Sequence, residues 1–292
     1  MSTRNLPGTE AARHGTGDAD LTIMLGAHEA FRRDLARLAR AAAFADLPDP
    51  ARRAAVQAGW EVFKRQLHLH HTAEDTIIWP ALRDRLGHSA HALSVLDAME
   101  DEHKAIDPLL VAVDEAFGEP DARALAGVTD ALATSLSGHL SHEERDGLPL
   151  IGVALTAAEW RGVGIKIARQ NGLSLAGEMF AWIADGADPQ EAAAAVGTLP
   201  PPARLIYRAV WRPRYRRTPH WGGGPARGRR SAFGPGGDRR VDLLLAGGQL
   251  RGVLALQAFG DILVGTHQRV EVAVGRGHDP EVGVGLPHLG SP

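Results

Sequence analysis

The sequence contains no cysteine. Disulfides, thiolate-bound zinc and iron–sulfur clusters are therefore excluded, and any bound metal ion must be held by histidine and carboxylate side chains. The chain also lacks a run of the roughly 18 apolar residues that a membrane-spanning helix needs, and its start lacks the apolar core of a signal peptide. We therefore expect a soluble, cytoplasmic protein that does not cross a membrane.

Lysine is absent from the last part of the chain. From Trp211 onward there are twelve arginines and six acidic residues, a net charge of +6, whereas residues 1–210 carry −9. Half of the glycines, 17 of 34, also lie at Gly222 or later. This composition predicts a Gly/Arg-rich, disordered tail over residues 212–292. Clustered arginine could contact phosphate, but we favour a solvated basic tail and expect no nucleic-acid partner.

The rest of the chain has helical patterning. Apolar residues recur near a 3.6-residue period in four segments separated by short turns, at about 20–46, 51–78, 89–117 and 121–146. They predict an all-α protein with an up-down-up-down four-helix bundle over residues 20–150. Shorter helical patterns over residues 156–211 predict an extension packed on the bundle. We expect Pro80 and Pro149 to kink or end their helices, and Pro108 to bend the third helix.

Two stretches of the bundle segment, 69 residues apart, repeat one arrangement of histidine, glutamate and proline. His70 is followed by Glu74 and Pro80, and His139 is followed by Glu143 and Pro149. A lone histidine on the preceding helix comes before each stretch, within segments that also resemble each other. The chain thus has the pattern of two related helical hairpins with six candidate metal ligands: His28, His70, Glu74, His103, His139 and Glu143.

These residue types at this spacing suit a dinuclear metal site. Residues i and i+4 share a helix face, so each His–Glu pair can direct two ligand atoms at one point. A buried glutamate is unfavourable unless it is paired; carboxylates can bridge two cations while imidazoles fill the other positions. The pairs His71/Asp75 and His142/Asp146 share the spacing without the proline, and we expect supporting or surface roles for them. Three more histidines are expected to be solvated: His68, His88 and His91.

Four segments together resemble the hemerythrin-like (HHE cation-binding) family: AHEAFRRDL, HHTAEDTIIWPAL, MEDEHKAID and GHLSHEERDGLPL. The resemblance covers about residues 20–150 and includes the aromatic residue and proline after the second-helix glutamate, Trp79 and Pro80. It implies that the six candidate ligands hold two non-haem iron ions (Fe²⁺/Fe³⁺), bridged by the two glutamates and an oxo or hydroxo group. It also implies binding of dioxygen or nitric oxide, as a sensor, store or scavenger.

Two departures from the oxygen-carrying members bear on the function. Met99 stands where those proteins have a further histidine, so we expect an open coordination position that favours sensing or reactivity over simple oxygen carriage. Their fourth-helix acid would select Glu144; we prefer Glu143, which keeps the internal repeat and matches the common bacterial pattern. Whether the chain is an enzyme stays open. The alternatives are peroxide decomposition or another redox reaction at the di-iron site, and an iron-responsive interaction module.

Overall fold

The computed structural model describes residues 19–43, 49–118 and 122–222. Within these ranges the chain is helical and has no strand, which confirms the all-α prediction. Of the predicted disordered tail, residues 223–292 lie outside the described residues. Its first residues, Arg212–Tyr215, form a helical turn.

Four long helical arms form an up-down-up-down bundle. The first arm is α1 (Thr22–Ala43), and the second is α2 (Pro50–Ala73) continued by α3 (Trp79–Leu86). The third is α4 (Ala90–Gly118), and the fourth is α5 (Ala122–His142) continued by α6 (Leu148–Ala154). α1 packs against α2 and α5, and α4 packs against α3 and α5, so successive arms are neighbours and enclose one core.

A five-residue π-helical turn joins the two parts of the second and fourth arms. The turns are Glu74–Ile78 and Glu143–Gly147, and each is closed by an N–H five residues after the glutamate carbonyl. The next residue in each arm is a proline, Pro80 or Pro149, which has no N–H to donate and would crowd the carbonyl four residues earlier. Widening the helix by one residue accommodates the proline. An end of the helix, one of the two expected outcomes, is therefore excluded at both prolines, because the helices continue as α3 and α6.

The extension begins with α7 (Ala157–Ile183), which contains a kink at Gly172, where φ is 76°. It continues through α8 (Pro189–Gly197), α9 (Pro201–Ile206), a third π-helical turn (Tyr207–Trp211) and α10 (Arg212–Tyr215). α7 and α8 pack on α1, and α7 also packs on α2. The third π-helical turn and α10 pack on α7.

Glycines on two helices provide the space for large aromatic side chains of the extension. A Cβ on Gly59 of α2 would lie 2.5 Å from the indole of Trp221, whose backbone N–H donates to the Ala55 carbonyl. A Cβ on Gly177 of α7 would overlap the ring of Trp211. Only glycine permits these approaches, so both positions help to fix the extension.

Among the described residues, no single helix is long and apolar enough to cross a membrane. One pair, Arg123–Ala154 and Ala157–Ile183, reaches that length and composition only jointly, across a bend of 112°.

Candidate metal centre

The structure brings all six predicted donors together inside the bundle. Their ligand atoms fall into two groups, within each of which all the atoms lie within 4.8 Å of one another. One group consists of His28, His70, Glu74 and Glu143. The other contains His103 and His139 together with a third histidine, His71. Glu74 connects the groups, because its Oε2 lies 3.5 Å from Nε2 of His103.

His71 is a further candidate donor, which the sequence interpretation did not select. It was expected to be a supporting or surface group, but only 7% of it is exposed. Its ring stacks on that of His103, with centroids 3.9 Å apart and planes 10° apart. Consecutive helix residues point about 100° apart, so the adjacent pair His70–His71 can face both groups. The sequence feature that could have identified His71 is its position directly after His70. The lack of a proline ten residues after His71 was not a reason to place it outside the site.

Three of the imidazoles are held at Nδ1 by carboxylates. His28 faces Glu144 at 2.8 Å, His103 faces Asp75 at 2.9 Å, and His139 faces Glu102 at 2.8 Å. A carboxylate accepts the Nδ1 proton, so Nε2 of each neutral ring carries the lone pair that a metal needs. Two of these carboxylates, Asp75 and Glu144, directly follow the central glutamates Glu74 and Glu143, so the repeat extends to the supporting contacts.

Glu143 and Glu144 have different positions. Glu143 is fully buried among the donors, whereas the side chain of Glu144 is 25% exposed and also accepts from Arg32 at 2.8 Å. His142 belongs to neither donor group; it is 25% exposed and faces Glu102 at 2.7 Å. The geometry therefore favours Glu143 as the donor and gives Glu144 the task of orienting His28.

The unpaired atoms of the site fit a pair of cations. Nε2 of His103 lies 3.2 Å from Nε2 of His139, so two lone pairs face each other when both Nδ1 atoms are protonated. His28 Nε2 and His70 Nε2 each lie 3.1 Å from a glutamate oxygen, yet neither contact is aligned as a hydrogen bond. Within the described residues, both oxygens of Glu74 and of Glu143 are buried without a hydrogen-bond partner. Such groups are unfavourable in a protein interior unless a cation pairs with them.

Residues 19–151 match the family model of the hemerythrin HHE cation binding domain. This segment is similar to that domain and is called the hemerythrin-like domain. The match confirms the resemblance noted in the sequence, and it ends within α6, so the extension lies outside it. No curated protein and no solved structure matched the chain.

Burial and neighbouring charges shift the protonation of the hemerythrin-like domain. Burial lowers the pKa of His70 and of His71, which keeps both imidazoles neutral. Burial and the nearby Glu143 carboxylate raise the pKa of Glu74 well above its ordinary value. Burial also opposes the charged form of His28, but Glu143 and Glu144 together outweigh it and raise the pKa of His28 to about 9. Without metal the site therefore tends to hold protons where cations would otherwise bind.

Close packing restrains the Glu143 side chain. A Cβ added to Gly147, at the end of the same π-helical turn, would lie 3.2 Å from Cγ of Glu143 and 3.7 Å from Sδ of Met99. Met99 itself is fully buried in an apolar cluster with Met24 and Trp79. Glycine at this position leaves room for the carboxylate, and the apolar cluster keeps water from one side of the site.

Proposed function

We propose that the hemerythrin-like domain holds two non-haem iron ions, one in each donor group, and binds dioxygen or nitric oxide. The observation that carries this proposal is the pair of Nε2 atoms 3.2 Å apart on His103 and His139, each backed by a carboxylate at Nδ1. Two lone pairs at that distance repel unless a cation or a proton lies between them. The protein would then act as a sensor, store or scavenger of the small ligand.

Each donor has a distinct role in this proposal. His71, His103 and His139 hold one iron, and His28 and His70 hold the other. Glu74, which contacts both groups, and Glu143 would supply the carboxylates shared by the pair of ions, as the family resemblance implies. Five imidazoles and two carboxylates without a thiolate suit iron, manganese or zinc by ligand chemistry alone, and the family resemblance favours iron. When bound, the irons supply the position at which a small diatomic molecule coordinates.

His71 changes the expectation that was drawn from Met99. The missing imidazole of the third helix was expected to leave a coordination position open. His71 offers an imidazole to the same group from the second arm, so the donor count reaches seven. A small ligand would therefore bind at a coordination position that the seven donors leave to solvent. No open position at Met99 is required.

The surroundings favour an uncharged ligand over a charged one. Met24, Trp79 and Met99 belong to a buried apolar cluster next to the donors, and Phe31 packs on the ring of His70 with centroids 5.3 Å apart. An anion would lose its hydration there without a donor to replace it. Dioxygen and nitric oxide lose little on entering such a site.

Optical spectroscopy tests the proposal directly. Iron-loaded, reduced protein prepared without oxygen is mixed with nitric oxide or with air, and the expected result is a new iron charge-transfer absorption that titrates with protein concentration. His68→Ala, an exposed histidine on α2, serves as the control and should behave like wild type. An iron-loaded protein whose spectrum does not respond to either gas would contradict the proposal. Steady oxygen release from hydrogen peroxide that Glu74→Ala abolishes would instead indicate a peroxide-decomposing enzyme.

A further inference from the structure

An aromatic path leaves the candidate metal centre at His70 and reaches the extension. The ring of Phe31 on α1 lies 5.3 Å from the ring of His70, and Trp182 lies 4.8 Å beyond it, both measured between centroids. Phe31 is fully buried and Trp182 is 1% exposed. Trp182 is in the last turn of α7, so a side chain outside the hemerythrin-like domain is in contact with the first layer around its donors.

Trp182 has a buried proton acceptor. Its indole Nε1–H donates to Oδ2 of Asp34 at 2.8 Å, and Asp34 is fully buried. Arg37 at 3.0 Å and Arg33 at 3.4 Å bind the other oxygen, Oδ1. Oδ2 is therefore left to the indole. A carboxylate in this position favours loss of an electron from the ring, because the Nε1 proton can move to it in the same event.

The other fully buried tryptophans near the site lack this combination. Nε1 of Trp79 has no hydrogen-bond partner in the part of the chain that the structure describes. Trp60 donates to Asp114, but that carboxylate is 44% exposed and also binds Lys64.

We propose that Trp182 is a one-electron donor to the metal centre, with Phe31 between them and Asp34 as the proton acceptor. This inference rests on the proposed iron centre. Reduction of one hydrogen peroxide to two waters takes two electrons and two protons. When the iron pair is half reduced (Fe²⁺/Fe³⁺), it has one electron to give and Trp182 supplies the second. Trp182 becomes a neutral indolyl radical, its Nε1 proton passes to Asp34 Oδ2, and solvent provides the two protons of the waters.

The test uses full-length, iron-loaded protein brought to the half-reduced state and mixed with one equivalent of hydrogen peroxide. The expected result is a narrow organic radical signal in electron paramagnetic resonance, whose shape changes when the tryptophans are ring-deuterated. Peptide mass spectrometry should then find oxidation products at Trp182. Fully reduced protein provides the internal control, because its iron pair supplies both electrons and no radical should form.

Matched variants distinguish an effect on electron donation through Phe31 from a general effect on packing. Trp182→Phe should remove the radical and halve the peroxide consumed per half-reduced pair, since two pairs must then share one peroxide. Phe31→Leu should lower the radical yield with Trp182 still present, whereas Trp60→Phe should leave the yield unchanged. If a Trp182 or Phe31 variant does not fold, the position of the oxidation products in the wild-type protein tests the proposal instead.

The outcomes distinguish the two proposals. Iron that peroxide oxidises without any radical or oxidation product at Trp182 would overturn the inference and leave the iron centre intact. A radical that persists in Trp182→Phe would overturn it too. Iron that peroxide does not oxidise would also overturn the inference alone, whereas a chain that binds no iron would overturn the proposed iron centre and the inference with it.

Discussion

Adjacent histidines on α2 divide between the two donor groups. His70 lies with His28 and the glutamates, and His71 lies with His103 and His139. This division follows from helix geometry, since neighbouring positions on a helix cannot face the same point. One helix can thus serve both metal positions, and the third helix needs only a single histidine, with Met99 free to be part of the apolar cluster.

Replacement of His71 by alanine is expected to release the iron of its group. The remaining pair, His103 and His139, would bind it at least roughly 10–100-fold more weakly, the loss that follows even from removing an outer partner of a ligand. Iron content after dialysis and iron titration measure this effect. His68→Ala is the control on the same helix. Equal iron content in the two variants would exclude His71 as a ligand.

The two neighbouring glutamates of the fourth arm should respond differently to amide substitution. Glu143→Gln removes a fully buried donor and should abolish binding of the iron pair. Glu144→Gln keeps an oxygen that can accept from His28 Nδ1 but removes its negative charge, so the iron held by the group of His28 should bind with affinity lower by about 10–100-fold. Competition with a chelator measures both affinities. The reverse order would assign the ligand role to Glu144.

The π-helical turns explain the proline offset of the repeat. Glu74 and Glu143 each stand six residues before a proline, and Tyr207 stands six residues before Pro213 in the third turn. Because the third turn carries no glutamate, the offset reflects how a helix accommodates a proline and does not depend on metal ligands. The spacing could be seen in the sequence. The widened turn could not, since a proline in a helical pattern ordinarily signals a kink or an end.

Replacing Pro80 by alanine should restore an α-helical turn and disturb the site. The returned N–H lets the normal hydrogen-bond ladder close, which turns residues beyond the former π-helical turn by about 100° relative to His70. We expect iron affinity to fall while far-ultraviolet circular dichroism stays the same. Pro80 is exposed, so no cavity forms. Pro213→Ala makes the same change in the third turn and should leave iron binding unaffected. Equal iron affinity in both variants would contradict this role.

The sequence allowed the bundle and its six donors to be predicted because both depend on short-range spacing. Helical periodicity and i,i+4 pairs are local, so they can be recognised without knowing the fold. The attachment of the extension depends on contacts between distant residues, such as Trp182 with Asp34 and Trp221 with Gly59. A lone tryptophan or glycine carries no signal that identifies its partner. His71 combines a local and a long-range feature. Its spacing to Asp75 could be read from the sequence, but its burial against the other helices could not.

The metal-free protein is expected to be most stable near pH 6.5. Burial holds the pKa values of His70, His71 and His139 below 6.5, so the unfolded chain takes up protons that the folded one does not, and stability falls as the pH drops below 6.5. The pKa of His28 is raised to about 9 by carboxylates that outweigh burial, so stability is lost as the pH rises from 6.5 to about 9. The raised pKa of Glu74 acts in the same direction.

Urea unfolding of the metal-free chain across this pH range measures the effect. The midpoint should pass through a maximum, whereas iron-loaded protein should gain stability as the pH rises through 6.5, because cations then replace the protons. A midpoint of the metal-free chain that rises or falls steadily between pH 5 and 9 would show that these groups do not govern its stability.

The iron content of the full chain, purified without oxygen, tests the central claim most directly. Two irons per chain are predicted, one for each donor group, and both should be lost in a variant that combines His70→Ala with His71→Ala. The His68→Ala protein should keep both. A chain that binds no iron, or holds a single zinc ion, would contradict a di-iron centre at these residues.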